Sequence, residues 1–235
     1  MIDCISVENM RRSDAQTIAT KVPSLELMGR AAEGVYRAAT WQGPVAIVAG
    51  SGNNGGDGFA LACIMARQGV QCEIFTVSNR LSADSAYYAE EAKKLGVTVR
   101  PYEDGCLAGF DMAVDCLLGT GFSGGVRDNY RSAIEGINKS GAEVISVDIN
   151  SGMNGDTGEA EIAVRSDLTV TIGYVKNGLV TENAGRYMKR LRCTDIGIEL
   201  AYEENRILAP GEAGEGVACP AWLDMNIIRI EEAVL

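Results

Sequence analysis

Short apolar runs alternate with longer stretches of mixed apolar and polar residues from residue 45 onward. The runs predict strands at Val45–Ala49, Cys72–Val77, Met112–Cys116, Glu143–Ile149 and Leu168–Ile172, with weaker strands at Val97–Arg100 and near Arg192–Ile196. The intervening pattern predicts helices at Gly58–Gln68, Ala83–Leu95 and Tyr130–Ser140. Residues 7–39 are predicted to form two further helices, which Pro23 and Ser24 separate.

Several of these strands are apolar at consecutive positions, as in AVDCLL and EVISVDI. Such strands are typical of a parallel sheet that helices cover on both faces. The alternation of strands and helices therefore predicts a Rossmann-like three-layer α/β/α sandwich with a mostly parallel central sheet. A single domain over residues 1–235 is expected, and the loop-like text of residues 206–235 is interpreted as a C-terminal appendage.

The charge, the apolar runs and the cysteines of the chain exclude several classes of protein. A net charge of −11 without a dense basic cluster argues against nucleic-acid binding. No apolar run approaches the ~18 residues of a membrane span, and the N-terminus lacks the apolar region of a signal peptide. Seven cysteines without a C-x-x-C pair indicate reduced thiols in the cytoplasm.

The chain contains no histidine. This excludes Ser-His-Asp and Cys-His hydrolysis and histidine-ligated zinc. Catalysis would have to use Asp, Glu, Lys, Tyr or Cys, while a hard cation bound by oxygen ligands stays possible.

The first candidate site follows the strand that ends at Ala49. Five glycines fall between Gly50 and Gly58, and Asn53, Asn54 and Asp57 lie among them. A glycine loop between a strand and a helix is typical of phosphate binding. An NAD-dependent dehydrogenase would also need an acid near the end of the second strand, but Glu73 stands at the start of that strand. The loop could instead bind phosphate, sugar hydroxyls or a cation.

Two more polar, glycine-rich loops follow later strands. Asp115 precedes the run Gly119–Arg127, and Asp148 and Ser151 follow the next strand. Because ligands bind at the carboxyl ends of parallel strands, the three loops are expected to converge on one edge of the sheet. Asp115 and Asp148 could hold a cation together, or one of them could act as a general base.

The motifs N-N-G-G-D-G, V-D-x-L-L-G-T-G and V-D-I-x-S-G-x-x-x-D-T-G occur here in one order and spacing. Together they resemble the NAD(P)H-hydrate epimerases, also called the YjeF N-terminal domain, from about Met10 to Ile198. The resemblance implies interconversion of the R and S forms of hydrated NADH and NADPH, which carry a hydroxyl at C6 of the nicotinamide ring. It further implies a homodimer and a partner dehydratase, which is expected to be a separate protein.

The resemblance also assigns roles to residues. Asp148 would bind the modified ring and act as the acid/base catalyst. On chemical grounds alone, Lys176, after the fifth main strand, could stabilise developing negative charge or help to set the pKa of that aspartate, and the alternative is a solvated surface lysine. A potassium ion would be bound by Asn54, Asp115 and Ser151. The substrate would be bound by Asp148 and by two segments, Asn53, Asn54, Gly55, Gly56 and Asp57 in one and Gly119, Thr120, Gly121, Phe122, Ser123, Gly124 and Gly125 in the other.

Two positions depart from the family pattern. Asn150 stands where relatives have proline, which frees one backbone angle in the loop that carries Asp148. Gly29 stands where relatives have glutamate, at a cost of about 1 kcal/mol to the helix. The alternatives are a non-catalytic nucleotide-binding or scaffold module of the same fold and, less favoured, another nucleotide-binding enzyme.

Overall fold

The computed structural model describes residues 2–204, 206–208, 217–218, 220–224 and 226–230. The helices are α1 (Val7–Thr20), α2 (Ser24–Ala38), α3 (Asn53–Arg67), α4 (Ala83–Lys94) and α5 (Asp128–Lys139). The strands of the main sheet are β2 (Val45–Ala49), β3 (Cys72–Thr76), β4 (Thr98–Pro101), β5 (Met112–Cys116), β6 (Glu143–Val147), β7 (Leu168–Ile172), β9 (Leu191–Asp195) and β12 (Ile228–Arg229). A smaller sheet contains β1 (Ile2–Ile5), β8 (Val175–Lys176), β10 (Arg206–Leu208) and β11 (Val217–Ala218).

The main sheet has the order β12-β9-β7-β6-β5-β2-β3-β4, and every neighbouring pair in it is parallel. The strand β2 shows why consecutive positions are apolar. Val45, Ile47 and Ala49 pack into the core beneath α2 and α3, whereas Ala46 and Val48 pack into a second core beneath α5. Helices thus cover both faces, and the predicted α/β fold class is confirmed.

The largest boundary error lies at the first glycine-rich segment. The sequence predicted a loop through Gly58, but α3 begins at Asn53, with Gly52 as its N-cap. Four of the five glycines serve close packing, and Gly52 is the exception. A Cβ on Gly55 would lie 2.2 Å from the carbonyl oxygen of Gly50. Gly29, where relatives were expected to have glutamate, is buried in α2 and does not interrupt that helix.

The N-terminal strand β1 was not predicted. It pairs with β8 in parallel and with β10 in antiparallel orientation. The segment 206–235, predicted as an appendage, contributes β10 and β11 to the smaller sheet and β12 to the main sheet. Residues 209–216, 219, 225 and 231–235 of that segment lie outside the described residues. No helix in the described part of the chain has the length and apolar character needed to cross a bilayer.

Candidate active site

A cavity of about 700 Å³ opens at the carboxyl ends of the central strands. It lies where the chain turns from β3 and β4 on one side of β2 to β5 and β6 on the other, which is where ligands bind in open α/β sheets. All three predicted polar segments contribute to its wall, through Asn54, Gly119 and Asp148 among others. Helix α1 provides the opposite wall.

Asp148 and Lys176 form a buried ion pair in this cavity. Lys176 is 1% exposed, and its Nζ donates to Asp148 Oδ1, to the carbonyl oxygen of Ile172 at 2.7 Å and to Thr171 Oγ1 at 3.1 Å. These three acceptors use all the protons of an ammonium group. The two residues predicted to be catalytic are therefore in direct contact.

The backbone at Asp148 has an unusual conformation. Its φ is 69°, and no other non-glycine residue among those described has a positive φ. This left-handed region costs a non-glycine residue roughly 1–2 kcal/mol, although aspartate tolerates it better than most. Strained residues of this kind concentrate at functional sites.

Two further carboxylates, Asp14 on α1 and Asp57 on α3, line the same cavity. Burial raises the pKa of Asp57 well above its usual range, and the negative charges of Asp148 and Asp14 raise it further. Burial and Asp148 also raise the pKa of Asp14. The cavity therefore combines a carboxylate paired with an ammonium and two carboxyl groups that retain protons more readily. Such differences are how neighbouring carboxyl groups divide acid and base roles.

The segment 119–125 forms one rim of the cavity. Six of its seven residues line the cavity, and Gly124 lines a neighbouring one instead. A Cβ on Gly119 would lie 3.3 Å from Asp148 Oδ2 and 3.3 Å from the Cβ of Asn54, so glycine lets this loop approach both. Arg11 Nη2 donates to the carbonyl oxygen of Thr120 at 2.6 Å and joins α1 to this rim.

Residues 53–57, the first predicted substrate segment, lie partly in the wall of the cavity and partly in the core. Asn53, Asn54 and Asp57 line the cavity, but Gly55 and Gly56 do not. A Cβ on Gly56 would lie 2.5 Å from Ser85 Oγ, which places this residue in the packing between α3 and α4. The predicted substrate segment thus presents polar side chains from the first turns of a helix.

The residues predicted to bind potassium differ in whether their side chains already have hydrogen-bond partners. Asp115 is fully buried and accepts hydrogen bonds from Leu117 N, Ser146 Oγ, Ser151 N and Ser151 Oγ. Asn54 is 7% exposed, and neither its Oδ1 nor its Nδ2 has a hydrogen-bond partner. Unpaired buried amides are uncommon, so Asn54 is suited to bind something further. Across the described residues, no three His, Cys, Asp or Glu side chains are grouped closely enough to hold a metal.

The family model for the YjeF-related protein N-terminus matches residues 24–178. The chain belongs to this family. An NAD(P)H-hydrate epimerase of Limosilactobacillus reuteri is 40% identical over 192 residues, which cover 77% of this chain and 89% of that one. An NAD(P)H-hydrate epimerase of Rhodopirellula baltica is 36% identical, with 77% and 78% covered.

A bifunctional NAD(P)H-hydrate repair enzyme of Coxiella burnetii is 31% identical over 82% of this chain and 41% of its own length. The crystal structure of the yeast protein ynu0 (YNL200c) superposes with a TM-score of 0.70 at 20% identity, covering 82% of this chain and 88% of that chain. The yeast protein shares the fold.

The stretch that matches the YjeF family contains Asn54, Asp148 and Lys176 but not α1. Sequence reasoning missed the α1 residues Arg11 and Asp14. A signal for Asp14 was present, because Met10, Asp14 and Ile18 follow one another at four-residue spacing and so share a helix face. A carboxylate between two apolar residues on one helix face indicates that this face lines a cavity and does not only pack into the core.

Proposed function

We propose that this protein is an NAD(P)H-hydrate epimerase that interconverts the R and S forms of hydrated NADH and NADPH. The observation that carries the proposal is the Asp148–Lys176 ion pair, which lies in one cavity with Asp57 and Asp14. Two relatives that bear this enzyme name are 40% and 36% identical and align over 77% and 81% of the chain.

The reacting carbon, C6, carries a ring nitrogen and a hydroxyl group. Its configuration inverts in two steps. The hydroxyl accepts a proton and leaves as water while the lone pair of the ring nitrogen replaces the C6–O bond. Water then adds to the opposite face of C6 and loses a proton. Each direction needs a proton donor and a proton acceptor. Asp57, with its raised pKa, donates a proton to the leaving hydroxyl, and the Asp148 carboxylate accepts a proton from the incoming water. Each turnover thus moves one proton from Asp57 to Asp148, and exchange with solvent restores the starting state.

Lys176 supports this cycle without exchanging a proton. Its ammonium group donates to Asp148 Oδ1 and so orients that carboxylate. The carbonyl oxygen of Ile172 and the Oγ1 of Thr171 accept from Lys176 Nζ, and Ile172 N donates to Asp148 Oδ1 at 3.4 Å, so the same segment holds both members of the pair. The polar first turns of α3 and the 119–125 rim would bind the phosphates and riboses through backbone N–H groups.

A potassium ion is part of the proposal. The unpaired carbonyl oxygen of Asn54 is a ligand of the kind that hard cations prefer, and buried Asp115 supplies negative charge. Asp115 and Ser151 already hydrogen-bond to each other, so they would bind the ion as a preassembled pair. The ion would supply positive charge near the substrate. We further propose a homodimer, a separate dehydratase as pathway partner and a cytoplasmic location, where the six described cysteines would stay reduced.

The test supplies the purified R form of hydrated NADH and follows both epimers by chromatography, with potassium or with sodium. The expected result is equilibration faster than the spontaneous rate, lost in Asp148→Asn although that variant remains folded by circular dichroism. A wild-type rate equal to the spontaneous one would reject the enzyme. Dinucleotide binding without any rate increase would indicate the non-catalytic module instead.

A further inference from the structure

Asn150 is fully buried, and its side chain joins four separate groups. Its Nδ2 lies 3.0 Å from each of three acceptors, the carbonyl oxygens of Val164 and Tyr187 and the Oγ of Ser166. Its Oδ1 accepts a hydrogen bond from Thr169 Oγ1 at 2.6 Å. An amide has only two protons for three acceptors, so one proton is shared. Every hydrogen-bonding group of this side chain is used.

These contacts anchor the loop that carries Asp148. The left-handed backbone at Asp148 persists only where the surroundings hold it. The main chain supplies two restraints, Asp148 N to the carbonyl oxygen of Val170 at 2.8 Å and Ile149 N to that of Val147 at 2.9 Å. The next residue in the chain is Asn150. Its carbonyl oxygen accepts from Met153 N at 3.0 Å within the same loop, whereas its restraint by distant segments comes from the side chain.

The strand β7 connects this anchor to Lys176. Thr169 and Thr171 are two residues apart in β7 and therefore point to the same face of the sheet. Thr169 binds Asn150, and Thr171 accepts from Lys176 Nζ at 3.1 Å. One face of β7 thus holds both the loop of Asp148 and the lysine that pairs with it.

We propose that Asn150 is a positioning residue, whose buried amide fixes the loop so that the Asp148 carboxylate meets Lys176 and the reacting ring. This inference rests on the proposed function for its catalytic part. Asn150 does not line the cavity, so it acts through Asp148 and not on the substrate. The amide replaces, by hydrogen bonds to distant segments, the restraint that a proline ring would give at this position.

The kinetic test compares Asn150→Ala with Asn138→Ala. Asn138 on α5 binds the carbonyl oxygen of Ala163 at 3.0 Å and the N–H of Arg165 at 2.7 Å, so it holds the same neighbouring segment from the far side. We expect Asn150→Ala to lower kcat about 100-fold with KM unchanged, because a small misplacement of a reacting group has that effect. Asn138→Ala should leave kcat unchanged. An equal loss in both variants, or no loss in Asn150→Ala, would overturn the proposal.

Thr169→Val provides a milder variant in case Asn150→Ala does not fold. It keeps the side-chain shape and leaves Asn150 in place, but removes the hydrogen bond to Asn150 Oδ1 together with the 2.8 Å contact between Thr169 Oγ1 and Ser166 Oγ. We expect a fall in kcat of about tenfold, again without a change in KM. A rise in KM at constant kcat would contradict positioning and indicate altered substrate binding.

Hydrogen exchange tests the inference independently of epimerase activity. In Asn150→Ala the amides of Asp148 and Ile149 should exchange about tenfold faster, since their loop loses its anchor. In Asn138→Ala the acceleration should be confined to Arg165 and its neighbours. If the wild type proves inactive, the proposed function fails while faster exchange still supports the anchor. Unchanged exchange at Asp148 would reject the anchor whatever the activity.

Discussion

Two lysine–aspartate pairs of this chain have the same chemistry and very different surroundings. Lys176 is almost completely buried against Asp148, whereas the side chain of Lys189, paired with Asp167 at 2.6 Å, is 78% exposed. Water screens the exposed pair, and such pairs contribute about 0–1 kcal/mol to stability. Removing one partner of a buried pair leaves an uncompensated charge and costs about 3–5 kcal/mol.

Lys176→Met is therefore expected to lower the free energy of unfolding by about 3–5 kcal/mol and to remove epimerase activity. Lys189→Met, the matched control, should change stability by less than about 1 kcal/mol. Urea denaturation of both variants measures the difference. Adding Asp148→Asn to Lys176→Met should restore most of the stability but none of the activity. Equal effects of the two single substitutions would contradict a buried ion pair.

Asp57 predicts a dependence of stability on pH. Burial raises its pKa in the folded protein well above the ordinary value of 3.8, so the folded state binds this proton more tightly than the unfolded chain does. Its stabilising contribution is present at low pH and is lost as the pH rises through the folded pKa. Asp57→Asn removes that loss. The variant should be more stable than wild type at pH 8, and the difference should disappear as the pH approaches 3.8.

Urea denaturation of wild type and Asp57→Asn between pH 4 and pH 8 checks this sign. The difference between the two proteins cancels the other titrating groups, because these are common to both. A wild type that is more stable than Asp57→Asn at pH 8, by a difference that fades toward acid, would mean that the folded protein stabilises the ionised form of Asp57.

At the scale of elements, α1 depends on a line of buried polar side chains. Asn9, Ser13 and Thr17 are fully buried at four-residue spacing and face the segment 199–204. Glu199 N donates to Thr17 Oγ1 at 3.0 Å, Ala201 N donates to Ser13 Oγ at 2.9 Å, and Asn9 Nδ2 donates to the carbonyl oxygen of Tyr202 at 2.8 Å. The helix side chains thus take the place of a neighbouring strand for this segment.

Thr17→Val should destabilise the protein by about 0.5–1.5 kcal/mol, because it removes the buried hydroxyl that accepts from Glu199 N. Thr20→Val is the control. Both threonines donate to a carbonyl oxygen four residues earlier at 2.8 Å, but Thr20 is exposed. Thr20→Val should change stability by less than about 0.5 kcal/mol. Thermal unfolding measures both, and equal shifts would exclude the contact with segment 199–204 as the cause.

The predicted elements were accurate where hydrophobic periodicity is strong. Strands β2, β5 and β7 were predicted with the bounds that the structure has, since both faces of each are buried. The start of α3 was wrong, because Gly55, Gly56 and Gly58 lower helix propensity and conceal a helix that tertiary packing selects. Strand β1 was missed because four residues, paired with β8 and β10, give no local signal.

At the scale of the molecule, the order of strands brings together loops that are far apart in the chain. The convergence of three segments could be predicted, because parallel strands present their carboxyl ends at one edge. The environments of the individual side chains could not be predicted, since the spacing of residues in the sequence does not distinguish the unpaired Asn54 from the fully hydrogen-bonded Asp115. The closure of the cavity by α1 also depends on contacts such as Arg11 with Thr120, which only the folded chain creates. Asn150 is the clearest case, since its four partners lie 14 to 37 residues away.

The cavity couples ligand binding to the stability of the whole chain. A dinucleotide that binds the folded protein alone stabilises it by about 2.7 kcal/mol at 100 times its Kd. We therefore expect NADPH, as a stable probe that resembles the proposed substrate, to raise the midpoint of thermal unfolding. The response should depend on Gly119, where a Cβ would lie 3.3 Å from Asp148 Oδ2, but not on Gly121, where no atom lies within 4 Å. Gly119→Ala should weaken the shift and Gly121→Ala should preserve it. Neither glycine has a positive φ, so neither variant forces a side chain into left-handed backbone. Identical responses would place the dinucleotide away from the Asp148 rim.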